Sequence, residues 1–320
     1  MTTAATDAPE RAADALPAEV DIAVIGAGFS GLGTAIRLKQ EGHTDFVVLE
    51  RGENVGGTWW FNTYPGCQCD VPSHLYSYSF APNPAWTRTY SRQDEIREYL
   101  QHSADRFGVR PFIHTDTSAE LAVWDEDAGV WEIQTDRGNL RARMLVAGVG
   151  PLAEPKIPDL PGLGRFKGKT MHSARWDHGY GLKGKRVASI GTGASAIQYV
   201  PQIQPEVKQL HVFQRTAPWV MPHTDRPTTA AERRLYTRFP GLQRVVRGAV
   251  YSGRESLALG FVKRPKLMGL VEKLARRQIS KQVKDPALRA KVTPDYTIGC
   301  KRILPSNRWY PRSASPTSSS

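Results

Sequence analysis

The sequence predicts an α/β protein of two tandem parallel-sheet units, the first carrying a small antiparallel meander and the second a basic helical insertion. Three observations predict it. The succession of apolar run, glycine-rich hexad and amphipathic stretch at "VDIAVI", "GAGFSG" and "LGTAIRLKQEG" (20–42) returns at "KRVASI", "GTGASA" and "IQYVPQI" (185–203). Between the two copies, residues 119–149 alternate three strand-like stretches with the turn signals "DEDAG" and "DRGN". Residues 232–291 hold sixteen Lys/Arg against four Asp/Glu, which accounts for the whole net charge of +12.

The elements follow in order. A continuous apolar run such as "VDIAVI" marks a strand buried on both faces. "DFVVLE" is a second such strand and ends at Glu50, which completes a β–turn–α–β unit. "SRQDEIREYLQHSADRFGV" reads as a helix opened by Ser91 and Asp94 at capping-box spacing. The meander comes next and sends a return strand back to the sheet. After a Pro/Gly-rich connector (151–184) the second unit runs through "KRVASI" and "IQYVPQI" to "QLHVFQR", and the basic stretch reads as two or three helices. The expected boundaries are a disordered extension at 1–17, a first domain at 18–150, the linker, a second domain at 185–302 with its insertion at about 228–292, and an atypical, disordered tail at 303–320.

Length and composition narrow the function classes. With 320 residues the chain can bury two cores, and no apolar run is long enough to span a membrane. The N-terminus lacks the basic start and apolar centre of a secretory signal. Three cysteines, two of them one residue apart, make no disulfide framework, so a reducing cytoplasm is expected. No nucleic-acid-reading motif accompanies the basic stretch, and no nucleic-acid partner or metal is expected.

Each glycine hexad follows a strand and opens a helix, the context in which such a turn binds a dinucleotide. Rossmann-like units hold the pyrophosphate on the helix N-terminus, against glycines that let the backbone come close. Gly26, Gly28 and Gly31 fill the first pattern; Gly191, Gly193 and Ala196 fill the second, with Thr192, Ser195 and Gln198 as further cofactor-binding candidates. The second strands end differently. Glu50, nineteen residues after Gly31, can accept hydrogen bonds from ribose hydroxyls, which suits FAD or NAD. Arg215 and Thr216 occupy the corresponding place in the second unit, where a guanidinium pairs with a 2′-phosphate and suits NADP. One site of each kind in one chain points to a flavoprotein that passes electrons from NADPH to FAD.

Further motifs carry a resemblance. Phe166, Gly168, His172, Trp176 and Asp177 form the pattern F-x-G-x-x-x-H-x-x-x-W-(P/D), and "GTWWFNTYPGCQCD" runs from Gly57 to Asp70. With "YSYSF" (76–80), "FQRTAPW" (213–219) and "GCKR" (299–302), the chain resembles the Baeyer–Villiger monooxygenases from residue 20 to about 310. The resemblance implies two dinucleotide-binding domains, FAD then NADP. It also implies oxidation of a ketone by NADPH and O2, through a flavin peroxide, to an ester or lactone. Arg302 matches a catalytic cation and Asp70 the carboxylate that orients it. Ser30, Glu50, Thr58, Trp59 and Tyr76 match positions that line FAD, with Gly57 in the same motif. Lys301 matches a residue that helps Arg215 and Thr216 hold the 2′-phosphate. Trp59 and Trp60 fit a core equally well, and His172 reads as a hydrogen-bonded strut. Cys67 and Cys69 read as small apolar side chains. A flavin-dependent N- or S-oxygenase and a non-catalytic nucleotide-binding module are the alternatives. Family members continue past "GCKR", so the chain is expected to be a truncated form that binds FAD weakly and oxygenates little.

Overall fold

The computed structural model describes residues 15–152, 154–263, 265–313 and 318–319. The expected N-terminal extension lies outside them up to residue 14. Two units form: residues 1–61 with 96–156, and residues 62–95 with 157–320.

In the first unit the apolar run becomes β1 (Glu19–Ile25), followed by α1 (Phe29–Gln40) and β2 (Phe46–Leu49), whose four residues are all buried. A short helix, α2 (Thr58–Phe61), and the longer α3 (Gln93–Arg106) follow, then β3 (Ile113–His114). The meander is β4 (Ala119–Asp125), β5 (Val130–Thr135) and β6 (Gly138–Ala147). Six strands lie in the order β3-β2-β1-β6-β5-β4. The meander is not a separate layer, because β6 pairs antiparallel with β5 and parallel with β1. One long strand thus serves as both meander edge and return strand. Val20, Ala23, Val47, Leu49, Ile133, Leu140 and Ala142 pack as one apolar cluster beneath it.

The α3 start differs from the capping-box expectation. The helix begins at Gln93, and the Ser91 hydroxyl donates to Ser73 Oγ at 2.7 Å instead of capping a helical N–H. The Ser91 carbonyl accepts from the Cys69 N–H at 3.0 Å, which ties this residue to the neighbouring chain segment ahead of the helix.

The second unit repeats the pattern with β7 (Arg186–Ile190), α4 (Ala196–Ile203) and β8 (Gln209–Phe213), and a two-residue strand, β9 (Val220–Met221), follows. The basic stretch forms four helices rather than two or three: α5 (Ala230–Arg238), α6 (Pro240–Lys263), α7 (Pro265–Gln282) and α8 (Pro286–Val292). Proline decides the number. It cannot sit inside a helix without losing a hydrogen bond, but its fixed φ suits the first helical position, where Pro240, Pro265 and Pro286 stand. Asp285 caps the last of these by accepting from the Ala287 N–H at 2.9 Å.

The stretch from residue 303, expected as a tail, enters the core. β10 (Leu304–Pro305) pairs in parallel with β9, and α9 (Trp309–Ser313) buries Trp309 and Tyr310 to 2% and 1% exposure. Its apolar residues are spaced to pack against Trp219, Ile279 and Val200, and the serine-rich bias begins only beyond them. Ser318–Ser319 (β11) adds to β8 in parallel, while residues 314–317 and 320 lie outside the described set.

Residues 62–95 group with the second unit because their polar partners lie there. Thr89 N–H donates to Arg226 O at 3.0 Å, and Thr228 N–H donates to Thr87 O at 2.8 Å. Asp70 and Tyr76 therefore belong to the second unit rather than to the span 18–150 expected from sequence order.

Candidate functional site

The first glycine turn sits where the carboxyl ends of β1, β2 and β6 meet. Gly26 N–H donates to Leu49 O at 2.7 Å and Gly148 N–H donates to Ile25 O at 2.8 Å. A crevice at the carboxyl ends of parallel strands is where ligands bind in this architecture. Gly31 permits the close approach: a Cβ there would lie 1.7 Å from the carbonyl oxygen of Gly26. Gly28 is different, since a Cβ there would meet only Gly57 Cα at 3.5 Å, an ordinary contact.

Glu50 is 4% exposed, and its two oxygens accept from Ala27 N–H at 2.6 Å and Gly52 N–H at 2.8 Å. A buried carboxylate needs such donors. Each oxygen retains acceptor capacity for a hydroxyl donor. Gly57 lies against Gly28, Trp59 is buried in α2, Thr58 precedes it, and Ser30 is exposed on the first turn of α1. The structure thus brings Gly26, Gly28, Gly31, Glu50 and Gly57 together around one turn.

The second turn is more open. Gly191 has φ +101°, a conformation that glycine alone adopts freely, yet a Cβ at Gly191 or Gly193 would meet nothing within 4 Å. Thr192 Oγ donates to Thr216 O at 3.4 Å, tying the turn to the segment that follows β8. Arg215 is exposed, and no described residue makes an ion pair or hydrogen bond with its side chain. Lys301 Nζ lies 4.7 Å from the centroid of the Tyr296 ring. Ser195 lies at the start of α4.

The side chain of Gln198, on α4, is turned toward the segment 64–68 and accepts from the Tyr64 hydroxyl at 3.0 Å. Tyr76 lies in a loop whose carbonyls at His74, Leu75 and Ser77 all accept from Arg247 Nη1, at 2.9, 3.0 and 3.1 Å. Nothing in residue spacing announced Arg247 as a partner of that loop.

The "GCKR" turn begins at Gly299 (φ +99°) between the buried anchors Ile298 and Leu304. It presents Arg302, whose Nε donates to Asp70 Oδ2 at 3.0 Å and whose Nη2 donates to the same oxygen. Asp70 follows two buried cysteines. Burial pushes both the Cys67 and Cys69 thiols up to about 12, so neither is a thiolate near neutral pH. All three cysteines are free.

In the fingerprint segment His172 Nδ1 accepts from Ala174 N–H at 3.1 Å and caps a single 3-10 turn, a strut as expected. Burial and the nearby Arg175 lower its pKa. Trp176 packs on Tyr199 with ring centroids 5.4 Å apart, and Lys169 pairs with Asp177 at 2.5 Å. These residues fix the linker to α4 and to itself.

A sequence profile described as "Flavin-binding monooxygenase-like" matches residues 19–251. A Baeyer–Villiger monooxygenase of Streptomyces coelicolor is 57% identical over 297 residues, covering 93% of this chain and 57% of that protein. One from Pseudomonas aeruginosa is 52% identical over 298 residues, covering 93% and 56%. Among solved structures, an oxidized steroid monooxygenase bound to NADP superposes with a TM-score of 0.82 at 34% identity, covering 94% of this chain and 65% of that one. A complex of OTEMO with FAD and NADP superposes with a TM-score of 0.81 at 28% identity, covering 93% and 65%. The chain spans a little over half the length of the two curated relatives. No helix among the described residues is long and apolar enough to cross a membrane. With that match over most of its length, the chain belongs to the flavin-binding monooxygenase-like family.

Proposed function

We propose that the chain supplies the FAD- and NADPH-binding units of a Baeyer–Villiger monooxygenase, which inserts one oxygen atom of O2 beside a ketone carbonyl to give an ester or lactone. When bound, FAD provides the oxygen chemistry and NADPH the electrons. One observation carries the reading: in two β–turn–α–β units of the same design, the second strand is followed by groups of opposite charge, buried Glu50 and exposed Arg215.

The residues fit the two nucleotides. The free N–H groups at the start of α1 would receive a pyrophosphate, and Glu50 would offer acceptors to ribose hydroxyls. Arg215, free of any described anion, offers a bidentate fork to a 2′-phosphate, with Thr216 beside it and Lys301 as a second cation. Ser195 and the open Gly191–Gly193 turn would receive the NADP pyrophosphate. Thr58, Trp59 and Tyr76 would line the flavin. Arg302 keeps a permanent charge, and Asp70 holds it in one orientation, where it can stabilise negative charge that develops on the reacting oxygen. Three free thiols suit a reducing compartment, the cytoplasm.

Purification and assay test the reading. Protein incubated with FAD, NADPH and O2 is offered a cyclic ketone and a thioether in parallel. Lactone formation supports it. Sulfoxide without lactone would make the protein a heteroatom oxygenase, and failure to retain either nucleotide would leave a module without this activity.

A further inference from the structure

Gln198 carries a role that its position after the glycine turn hides. Its Oε1 accepts from Gln68 N–H at 3.2 Å and from the Tyr64 hydroxyl at 3.0 Å, and its Nε2 donates to Gln68 O at 2.9 Å. Both acceptor positions of the amide oxygen are filled, and one N–H remains.

The backbone explains why such a clip is needed. Residues 67–69 pair with 91–93 through Cys69 N–H to Ser91 O at 3.0 Å and Gln93 N–H to Cys67 O at 3.1 Å, with Gln68 opposite Arg92. In an antiparallel bridge of this kind, the middle residue points its own N–H and C=O away from its partner. Among the described residues no strand pairs with that outer side of Gln68. The Gln198 amide stands in for one, matching donor to acceptor and acceptor to donor, so that neither backbone group is orphaned. The Gln68 side chain extends the chain of bonds, donating to Tyr90 O at 2.7 Å and to Asp225 Oδ2 at 2.9 Å. Asp225 is held in turn by Arg88, from Nε at 2.7 Å and Nη2 at 2.6 Å. Asp70 stands two residues beyond Gln68, at the open end of this clamped segment.

We infer that Gln198 is a positioning residue: through the main chain of Gln68 it fixes the segment 64–70 and so sets Asp70, and with it Arg302. The assignment of work to Asp70 and Arg302 rests on the function proposed above; the clip itself does not.

The test uses the full chain with Gln198→Met, which keeps the volume and removes the amide. Gln202→Met, one turn along α4 on the wall of the same cavity of about 580 Å³, is the control. Three readings are taken: hydrogen exchange of the 66–72 amides, NADPH affinity by titration, and ketone oxidation. Losing the clip exposes two backbone groups, so exchange should speed by roughly tenfold or more, with NADPH affinity held within about twofold. The oxidation rate should fall by about tenfold at unchanged KM for NADPH, while Gln202→Met moves none of these. Should the methionine variant fail to fold, Gln198→Glu is read the same way, since a carboxylate keeps the acceptors but offers nothing to Gln68 O. Unchanged exchange with a tenfold or greater loss of NADPH affinity would overturn the inference and make Gln198 a nucleotide ligand. A wild-type protein that binds no NADPH would count against the proposed function, and the exchange reading would still decide the clip.

Discussion

Arg302 lays two guanidinium nitrogens, Nε and Nη2, on a single oxygen of Asp70. The pair joins residues 232 positions apart, and the arginine side chain stays 58% exposed while the aspartate is 17% exposed. A half-exposed pair of this kind contributes about 0–1 kcal/mol to stability. Arg302→Ala should therefore leave the melting temperature within a few degrees of wild type. Ketone oxidation should fall by about 10²–10³-fold, because the lost charge acts where negative charge develops. Calorimetry and product analysis on the same preparation check both halves, and a large drop in melting temperature would place the pair among structural contacts.

Glu50 behaves in the opposite way. It is buried and holds the Ala27 and Gly52 N–H groups, so Glu50→Ala leaves two donors without partners, at about 1–3 kcal/mol each. The expected result is a clear loss of thermal stability together with loss of FAD. Glu50→Gln, which retains one acceptor oxygen, should fall between the two in a melting scan with added FAD.

The two glycine turns separate folding from binding. Gly31→Ala sets a methyl 1.7 Å from Gly26 O and should disrupt the first unit outright. Gly193→Ala meets nothing within 4 Å, so the melting temperature should not change while NADPH binding weakens by roughly tenfold or more, as titration would show.

Arg215→Ala should cost about 1.5–3 kcal/mol of NADPH binding, or roughly tenfold to a hundredfold, and leave NADH binding unchanged. Parallel titrations with the two nucleotides check it. An equal loss for both would assign Arg215 to some group they share.

The thiols give a pH dependence. Burial raises Cys67 and Cys69 from an ordinary 9.0 to about 12, so above pH 9 the unfolded chain loses protons that the folded chain keeps. Stability from these groups is complete below about pH 9 and declines progressively as pH rises toward 12. At pH 8 an aromatic disulfide reagent should modify exposed Cys300 quickly and the buried pair only after unfolding.

The two β–turn–α–β units were legible because strand, glycine turn and helix are contiguous in each. The opposite strand ends, Glu50 and Arg215, were legible for the same reason. What sequence order hid was the placement of 62–95, since Gln68 meets Gln198 and Asp225 across 130 and 157 residues. Such pairings depend on tertiary closure and leave no periodic trace. The basic stretch holds four helices where two or three are expected, because Pro240, Pro265 and Pro286 each stand at a first helical position and start a new helix. Trp309 and Tyr310 were lost to the composition of the residues after them.

The most direct test is anaerobic reduction of FAD held by the purified chain, followed by the fading of its yellow colour as NADPH or NADH is added. The expected result is bleaching by NADPH at a concentration roughly tenfold or more below that of NADH, with the preference abolished in Arg215→Ala. A chain that retains no flavin, a bound flavin that stays yellow, or equal bleaching by both nucleotides would contradict the assignment of FAD to the Glu50 turn and NADPH to the Arg215 turn.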